Sequence, residues 1–120
     1  MKTKLDAFTL AYIEAALWSS TDGRDISDLA PKTLEAMRAD CEVFQRDNSD
    51  LFVEICERYP AIALNDRSAG RDFWLTRNGH GCGFWDRGYS AEVDKALTDG
   101  AHAYGESNWY VGNDGLVYQM

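Results

Sequence analysis

The sequence predicts a single α+β domain over residues 1–120. An antiparallel sheet of about four strands, built from two hairpins, would pack with two to three helices in the order ααββαββ. Two patterns carry this prediction. Apolar residues in the helical part, 1–60, recur at intervals of three and four, whereas residues 70–120 hold two glycine-rich turns between aromatic and β-branched segments. A length of 120 residues suits one hydrophobic core.

The first helix is predicted from about Leu5 to Ser19. Its buried stripe follows spacings of three and four and consists of Leu5, Phe8, Tyr12 and Ala16, widened by Thr9, Ile13 and Leu17. The polar residues 19–25 follow this helix and have little reason to be helical. We expect them to form a connector.

A second helical region is predicted to begin at Pro31, which suits the first turn of a helix because an N–H would have no partner there. Its apolar stripe runs to Tyr59 and is interrupted at residues 47–50. Either one helix passes through the interruption, or another helix begins there with Ser49 as its cap. We expect a near-continuous helical stretch that ends before Pro60, since the residue before a proline avoids the helical conformation.

The first hairpin is predicted from strands at Asp72–Arg77 and Cys82–Asp86. The residues between them, 78–81, begin with Asn-Gly, which is a strong turn signal. Side chains alternate between the two faces of a strand, so one aromatic pair must face away from the first layer of helices. That pair would be covered by another helix or exposed as a binding patch. The two registers that remain open pair Phe73 with Phe84 or Trp74 with Trp85.

A third helix and a second hairpin complete the prediction. The helix is expected from about Ser90 to Tyr104, with Gly105 as its stop. The hairpin is expected in residues 109–118 and turns at residues 113–115, Asn-Asp-Gly.

The charge of the chain limits its partners. The formal net charge is −8, from 20 acidic and 12 basic residues, which argues against direct binding to duplex DNA. Two explanations account for this excess of acidic residues: solubility, or an acidic surface that competes for a basic partner. Acidic residues of the second helical region alternate with basic ones, which is more typical of a solvated helix face than of nucleic-acid mimicry.

The cysteines and the hydropathy indicate a compartment. Three cysteines without CxxC spacing fit a reducing environment. No apolar run has the length of a transmembrane segment or of a signal core, so no membrane association is expected. We expect a cytoplasmic protein.

Cys82 and His80 are the candidates for chemistry at the first hairpin. With His102 they would form a metal site, but no further ligands cluster with them, and neither a metal nor a cofactor is predicted. A cysteine nucleophile would need Cys82, His80 as base, and Asp72 or Asp86 as the group that orients the base. Because the glycines of this segment are explained by turn geometry alone, we expect a protein without enzymatic activity.

Residues 69–88 read AGRDFWLTRNGHGCGFWDRG and resemble a family of small uncharacterised proteins of bacteriophages and mobile elements, with the motif DFWLTRNGHGxGFWDRG. Three other segments, at 16–22, 31–48 and 110–118, fit the same family in the same order. Arg71 stands where a histidine is expected in this family, and Cys82 where a small residue is expected, which weakens a metal or catalytic role for either. The resemblance implies a gene that acts during infection or transfer, inside the host cell.

The leading hypothesis is an accessory protein that binds a host protein or a protein–nucleic-acid complex. The resemblance favours an inhibitor of a host defence system, of the anti-CRISPR or anti-restriction type. The predicted partner-binding residues are those of the hairpin tip and its outward aromatics: Trp74, Arg77, Asn78, His80, Trp85 and Arg87. One alternative is a nucleic-acid-binding module that stacks bases on the same aromatics beside the arginines. The other is a small cysteine-dependent hydrolase or transferase built around Cys82.

Overall fold

The described part of the chain is mainly helical and ends in one short sheet. The computed structural model describes residues 5–20, 24–58, 66–79 and 82–119. The helices are α1 (Ala7–Ser20), α2 (Pro31–Asp47), α3 (Ser49–Arg58), α4 (Asp66–Arg77) and α5 (Ala91–His102). Short 3₁₀ turns lie at Ile26–Asp28 and Phe84–Asp86, and the strands are β1 (Trp109–Val111) and β2 (Val117–Gln119).

The predicted four-stranded sheet with two hairpins is wrong, because the segment predicted as the first hairpin is not extended. Asp72–Arg77, expected as a strand, is the second half of α4. Cys82–Asp86, expected as its partner strand, is a loop that ends in a 3₁₀ turn. The described residues therefore hold five α-helices followed by one antiparallel hairpin, not the order ααββαββ.

The turn signal at Asn78-Gly79 ends a helix instead of reversing a strand. Gly79 has a φ of +67°, the left-handed conformation that commonly terminates helices and that glycine adopts without strain. The backbone N–H and the side-chain amide of Asn78 both donate to the carbonyl of Trp74, at 3.3 and 2.9 Å. Residues 72–77 are all buried, so their sequence carries neither the alternation of a half-buried strand nor the stripe of a surface helix.

The predicted first and third helices are confirmed as α1 and α5. Ser90 caps α5, because its side-chain oxygen accepts a hydrogen bond from the Val93 N–H at 3.3 Å. Of the two alternatives for the second helical region, the structure has two helices, α2 and α3, that meet at Asn48. The Asn48 side chain donates to the Phe44 carbonyl at 2.9 Å. Tyr59 and Pro60, where the helical stretch was expected to end, lie outside the described residues.

The predicted C-terminal hairpin is confirmed. β1 and β2 pair antiparallel, with Tyr110 opposite Tyr118, and the turn between them contains Gly115 at a φ of +81°. A bridge from Leu29 to Val117 ties β2 to the segment before α2. The hairpin therefore packs beside the start of α2.

The core forms where α1 and α4 approach each other most closely. A Cβ atom on Gly70 would lie 2.0 Å from the carbonyl oxygen of Phe8, so the two backbones nearly touch. Aromatic rings fill the space between these helices and α2. Phe44 stacks on Phe73 with ring centroids 4.0 Å apart, and Tyr12 meets Trp74 edge to face at 5.4 Å.

Arg77, at the C-terminal end of α4, is buried and joins several elements. Its guanidinium pairs with the Asp40 carboxylate at 2.9 Å and donates to the Tyr12 hydroxyl at 2.9 Å. It also donates to the carbonyls of Gly105 and Tyr104, at 2.8 and 3.0 Å. These contacts connect α4 with α1, α2 and the segment that follows α5.

Replacing Arg77 with alanine should strongly destabilise the fold. The change leaves the half-buried Asp40 carboxylate, the Tyr12 hydroxyl and two carbonyls without their donor, and each buried acceptor left unpaired costs about 1–3 kcal/mol. Urea unfolding followed by circular dichroism measures this loss. Arg38→Ala is the control, since Arg38 pairs with Glu35 and Glu42 on the solvated side of α2 and should shift the midpoint little. Equal shifts for the two variants would contradict the role assigned to Arg77.

Substituting alanine for two helical glycines should have opposite effects. Gly70→Ala forces α1 and α4 apart and should lower the free energy of unfolding by about 1–3 kcal/mol. At Gly100, in α5, a Cβ would lie 3.6 Å from Asn48 Oδ1, which is ordinary contact. Gly100→Ala should therefore stabilise the protein by about 0.5–1 kcal/mol. Urea unfolding measures both changes, and a Gly70→Ala protein as stable as the wild type would refute the close approach.

Candidate functional site

A groove of about 820 Å³ lies along α1 and α4 and is the candidate site. One face of α1, one face of α4 and the loop before α5 line it. The lining residues are Ala11, Glu14, Ala15 and Trp18 from α1, Arg67, Ser68, Arg71 and Leu75 from α4, and Cys82 and Arg87 from the loop. Both helical sets follow spacings of three and four, so each belongs to one face of its helix.

The lining of the groove carries the opposite charge to the chain as a whole. Three arginines and one glutamate contribute to it, whereas the chain has a net charge of −8. Arg67 lies 3.9 Å from the Glu14 carboxylate, a distant and exposed pair. Arg71 is exposed and makes no ion pair with any residue that the structure describes. Arg71 is therefore the side chain of the lining best placed to bind an anionic group.

Arg87 is held in place at the groove by a buried carboxylate. Its Nε and Nη2 donate to the two oxygens of Asp72, at 2.8 and 2.6 Å, and Asp72 is only 1% exposed. The hydrogen bond to Asp72 raises the pKa of Arg87, so the guanidinium stays charged. This pair brings the loop before α5 against α4.

Trp18 stands at the rim of the groove with 83% of its surface exposed. Trp74 and Trp109 are buried, and Trp85 is 37% exposed. Apolar residues occur on every face of α1, whose only polar residues are Thr9, Glu14, Ser19 and Ser20. The outward stripe of α1 includes Leu10, Glu14 and Trp18, one turn apart. A helix that is apolar all round is normally covered on all sides, and this one is not.

The structure distributes the predicted binding residues over different environments. Trp74 is 1% exposed, so the prediction that it faces outward is wrong; its Nε1–H donates to Ser19 Oγ at 2.8 Å. Arg77 is 5% exposed and joins the core elements. Asn78 accepts a hydrogen bond from the Ser107 N–H at 2.8 Å, which links the end of α4 to the segment before β1. These three side chains stabilise the fold.

Of the other three predicted residues, Trp85 and Arg87 do not share the groove. Arg87 lines the groove, whereas Trp85 does not. The ring of Trp85 covers Gly83, where a Cβ would lie 2.7 Å from it. His80 lies outside the described residues. The aromatic surface expected at a hairpin tip is therefore not formed by these residues.

Sequence reasoning missed Trp18, Arg67 and Arg71. A signal for Trp18 was present, because at 100° per residue Trp18 lies opposite the centre of the whole predicted stripe, from Leu5 to Leu17. Arg67 and Arg71 carried no such signal, since the segment was not predicted to be helical. Their common face exists only because α4 begins at Asp66.

Asp72 and Asp86, the two residues considered for orienting the base in cysteine chemistry, have other contacts. Cys82 is exposed in the groove, but Asp72 binds Arg87. Asp86 accepts a hydrogen bond from the Gly83 N–H at 3.1 Å. Among the described residues, no three His, Cys, Asp or Glu side chains are grouped as a metal site would require. No catalytic arrangement is assembled around Cys82 by these residues.

Comparisons with protein-family models, with curated proteins and with solved structures found no match for this chain. Within the described ranges, no helix has both the length and the apolar character needed to cross a membrane. The groove and the outward face of α1 therefore have to be interpreted from their own chemistry.

The three thiols should differ in reactivity. Cys41 is buried in the core, and burial raises the pKa of its thiol, whereas Cys56 and Cys82 are exposed. A disulfide reagent at neutral pH should therefore label Cys56 and Cys82 in the native protein and Cys41 only in urea. Cys56→Ser isolates the rate of Cys82. A Cys82 that reacts far faster than Cys56 would favour the enzyme hypothesis over a binding role for the groove.

Proposed function

We propose that this protein is a non-enzymatic interaction protein that binds a protein partner through the outward face of α1 and the groove beside it. The observation that carries the proposal is Trp18, which is 83% exposed on a helix that has apolar residues on every face. Burying a tryptophan removes about 150–250 Å² of surface from water. A partner that covers this face supplies the burial that the fold does not.

The composition of the site supports a protein interface. Tryptophan and arginine are enriched among the residues that contribute most to protein–protein binding. Trp18, Arg67 and Arg71 line the same groove, and Ala11 and Ala15 add apolar surface to it. An apolar contact with charged residues at its rim is the usual anatomy of such an interface.

A nucleic-acid-binding module has less support. That alternative placed base stacking on an aromatic sheet face, and Trp74, one of its two tryptophans, is buried in a helix. The net charge of −8 also opposes the approach of a polyanion. Among the described residues, the exposed Trp18 in a groove lined by arginines is a feature that a base and a phosphate would fit.

The resemblance to bacteriophage and mobile-element proteins is the basis for proposing which kind of partner is bound. In that context the partner is a host protein or a protein–nucleic-acid complex in the cytoplasm, and its class is a defence system of the CRISPR or restriction type. Only this context supports a defence system as the target; no residue of the groove does. The surface of α1 supports the proposal that the protein binds a partner.

Replacing Trp18 with alanine should weaken binding strongly and leave the fold intact. Loss of an interface tryptophan of this kind costs about 2 kcal/mol or more, roughly a 30-fold weaker complex. Co-purification from nuclease-treated host lysate, followed by titration of the captured partner, measures the effect. Trp85→Ala is the control, because it removes a partly exposed tryptophan that does not line the groove.

Unfolding in urea checks that Trp18→Ala folds like the wild type, since its side chain makes little contact with the core. Capture that is equal for Trp18→Ala and the wild type would refute the proposed surface. Loss of every captured partner on nuclease treatment would favour the nucleic-acid alternative.

A further inference from the structure

We infer that the segment bound in the groove is an acidic peptide segment of the partner, whose carboxylates contact Arg71 and Arg67. This inference rests on the proposed function and adds the chemistry of the ligand. It starts from the positive charge of the groove. The lining holds three arginines and one glutamate, although the chain has a net charge of −8.

The arginines of the groove are unequally neutralised. Arg87 is bound through two hydrogen bonds to the buried Asp72 carboxylate. Arg67 has only the distant Glu14, at 3.9 Å, and Arg71 has no ion-pair partner among the described residues. The unsatisfied positive charge therefore lies on the α4 wall of the groove.

Arg67 and Arg71 are one turn apart on this wall. Like charges at i and i+4 on a helix repel each other and weaken the helix by a few tenths of a kcal/mol. A carboxylate bound between the two guanidiniums relieves this repulsion and forms charge-assisted hydrogen bonds. The site is therefore complementary to an anionic group before any partner is present.

The remainder of the lining selects a peptide over a nucleic acid. Ala11, Ala15 and Leu75 present apolar surface to the groove, and Trp18 extends that surface at its rim. A peptide that carries both apolar and acidic side chains satisfies the floor and the wall together. A phosphate backbone has no apolar side chain to cover Ala11, Ala15 and Leu75, so it would use only the arginines of the wall.

Fluorescently labelled synthetic peptides test the inference directly. The probes are a peptide of alternating glutamate and leucine, its lysine–leucine counterpart, and an oligothymidylate, each titrated against the full chain by fluorescence anisotropy. We expect the glutamate peptide to bind more tightly than the other two, and its affinity to fall as salt is added.

Arg71→Glu should weaken glutamate-peptide binding by about tenfold or more. This reversal places opposite charges at i and i+4 with Arg67, so α4 keeps its stability. Arg46→Glu is the matched control, because Arg46 is an exposed arginine of α2 that does not line the groove. It should leave the affinity within about twofold of the wild type.

The inference is overturned if the glutamate peptide does not bind, if the lysine peptide or the oligothymidylate binds as well, or if Arg46→Glu has the same effect as Arg71→Glu. Self-association of the chain that requires Trp18 would also overturn it, because the occupant would then be a second copy. Capture of a lysate partner that is lost in Trp18→Ala and retained in Arg71→Glu would leave the proposed function standing while refuting an acidic ligand.

Discussion

The guanidinium of Arg77 carries a full charge into the interior, and the arrangement of the surrounding elements depends on how that charge is satisfied. Taking such an ion out of water costs several kcal/mol unless partners replace its hydration. Here the Asp40 carboxylate, the Tyr12 hydroxyl and two carbonyls after α5 act as those partners. Because each belongs to a different element, α1, α2, α4 and the segment after α5 must all be in place together.

This requirement sets the orientation of α1. Tyr12 has to point toward Arg77, and Phe8 has to meet the backbone of Gly70, so one side of α1 is committed to the core. The opposite side, with Leu10 and Trp18, is then left in solvent although the helix is apolar all round. The candidate binding surface is thus a consequence of the packing that satisfies the buried charge.

The groove combines this apolar face with the arginines of α4. Its two walls come from helices whose backbones nearly touch at Gly70, so their relative position has little freedom. The Asp72–Arg87 pair fixes the loop that closes one part of the lining. Because packing holds the helix backbones that carry this surface, little backbone entropy is lost when a partner docks.

The sequence by itself determined the elements whose signals are local: α1 from its apolar stripe, the second helical region from Pro31, α5 from its cap at Ser90, and the C-terminal hairpin from its turn at residues 113–115. Tertiary structure alone decided that residues 72–77 are helical. A segment buried on every side has no polar face, so its sequence does not show whether its period is that of a helix or of a strand. It also decided the roles of the arginines. The sequence suggests that Arg77 is an exposed cation, because the hydrogen-bond partners that hold it in the interior lie 27 to 65 residues away along the chain. Arg71 faces a groove only because α1 packs against the helix that carries it.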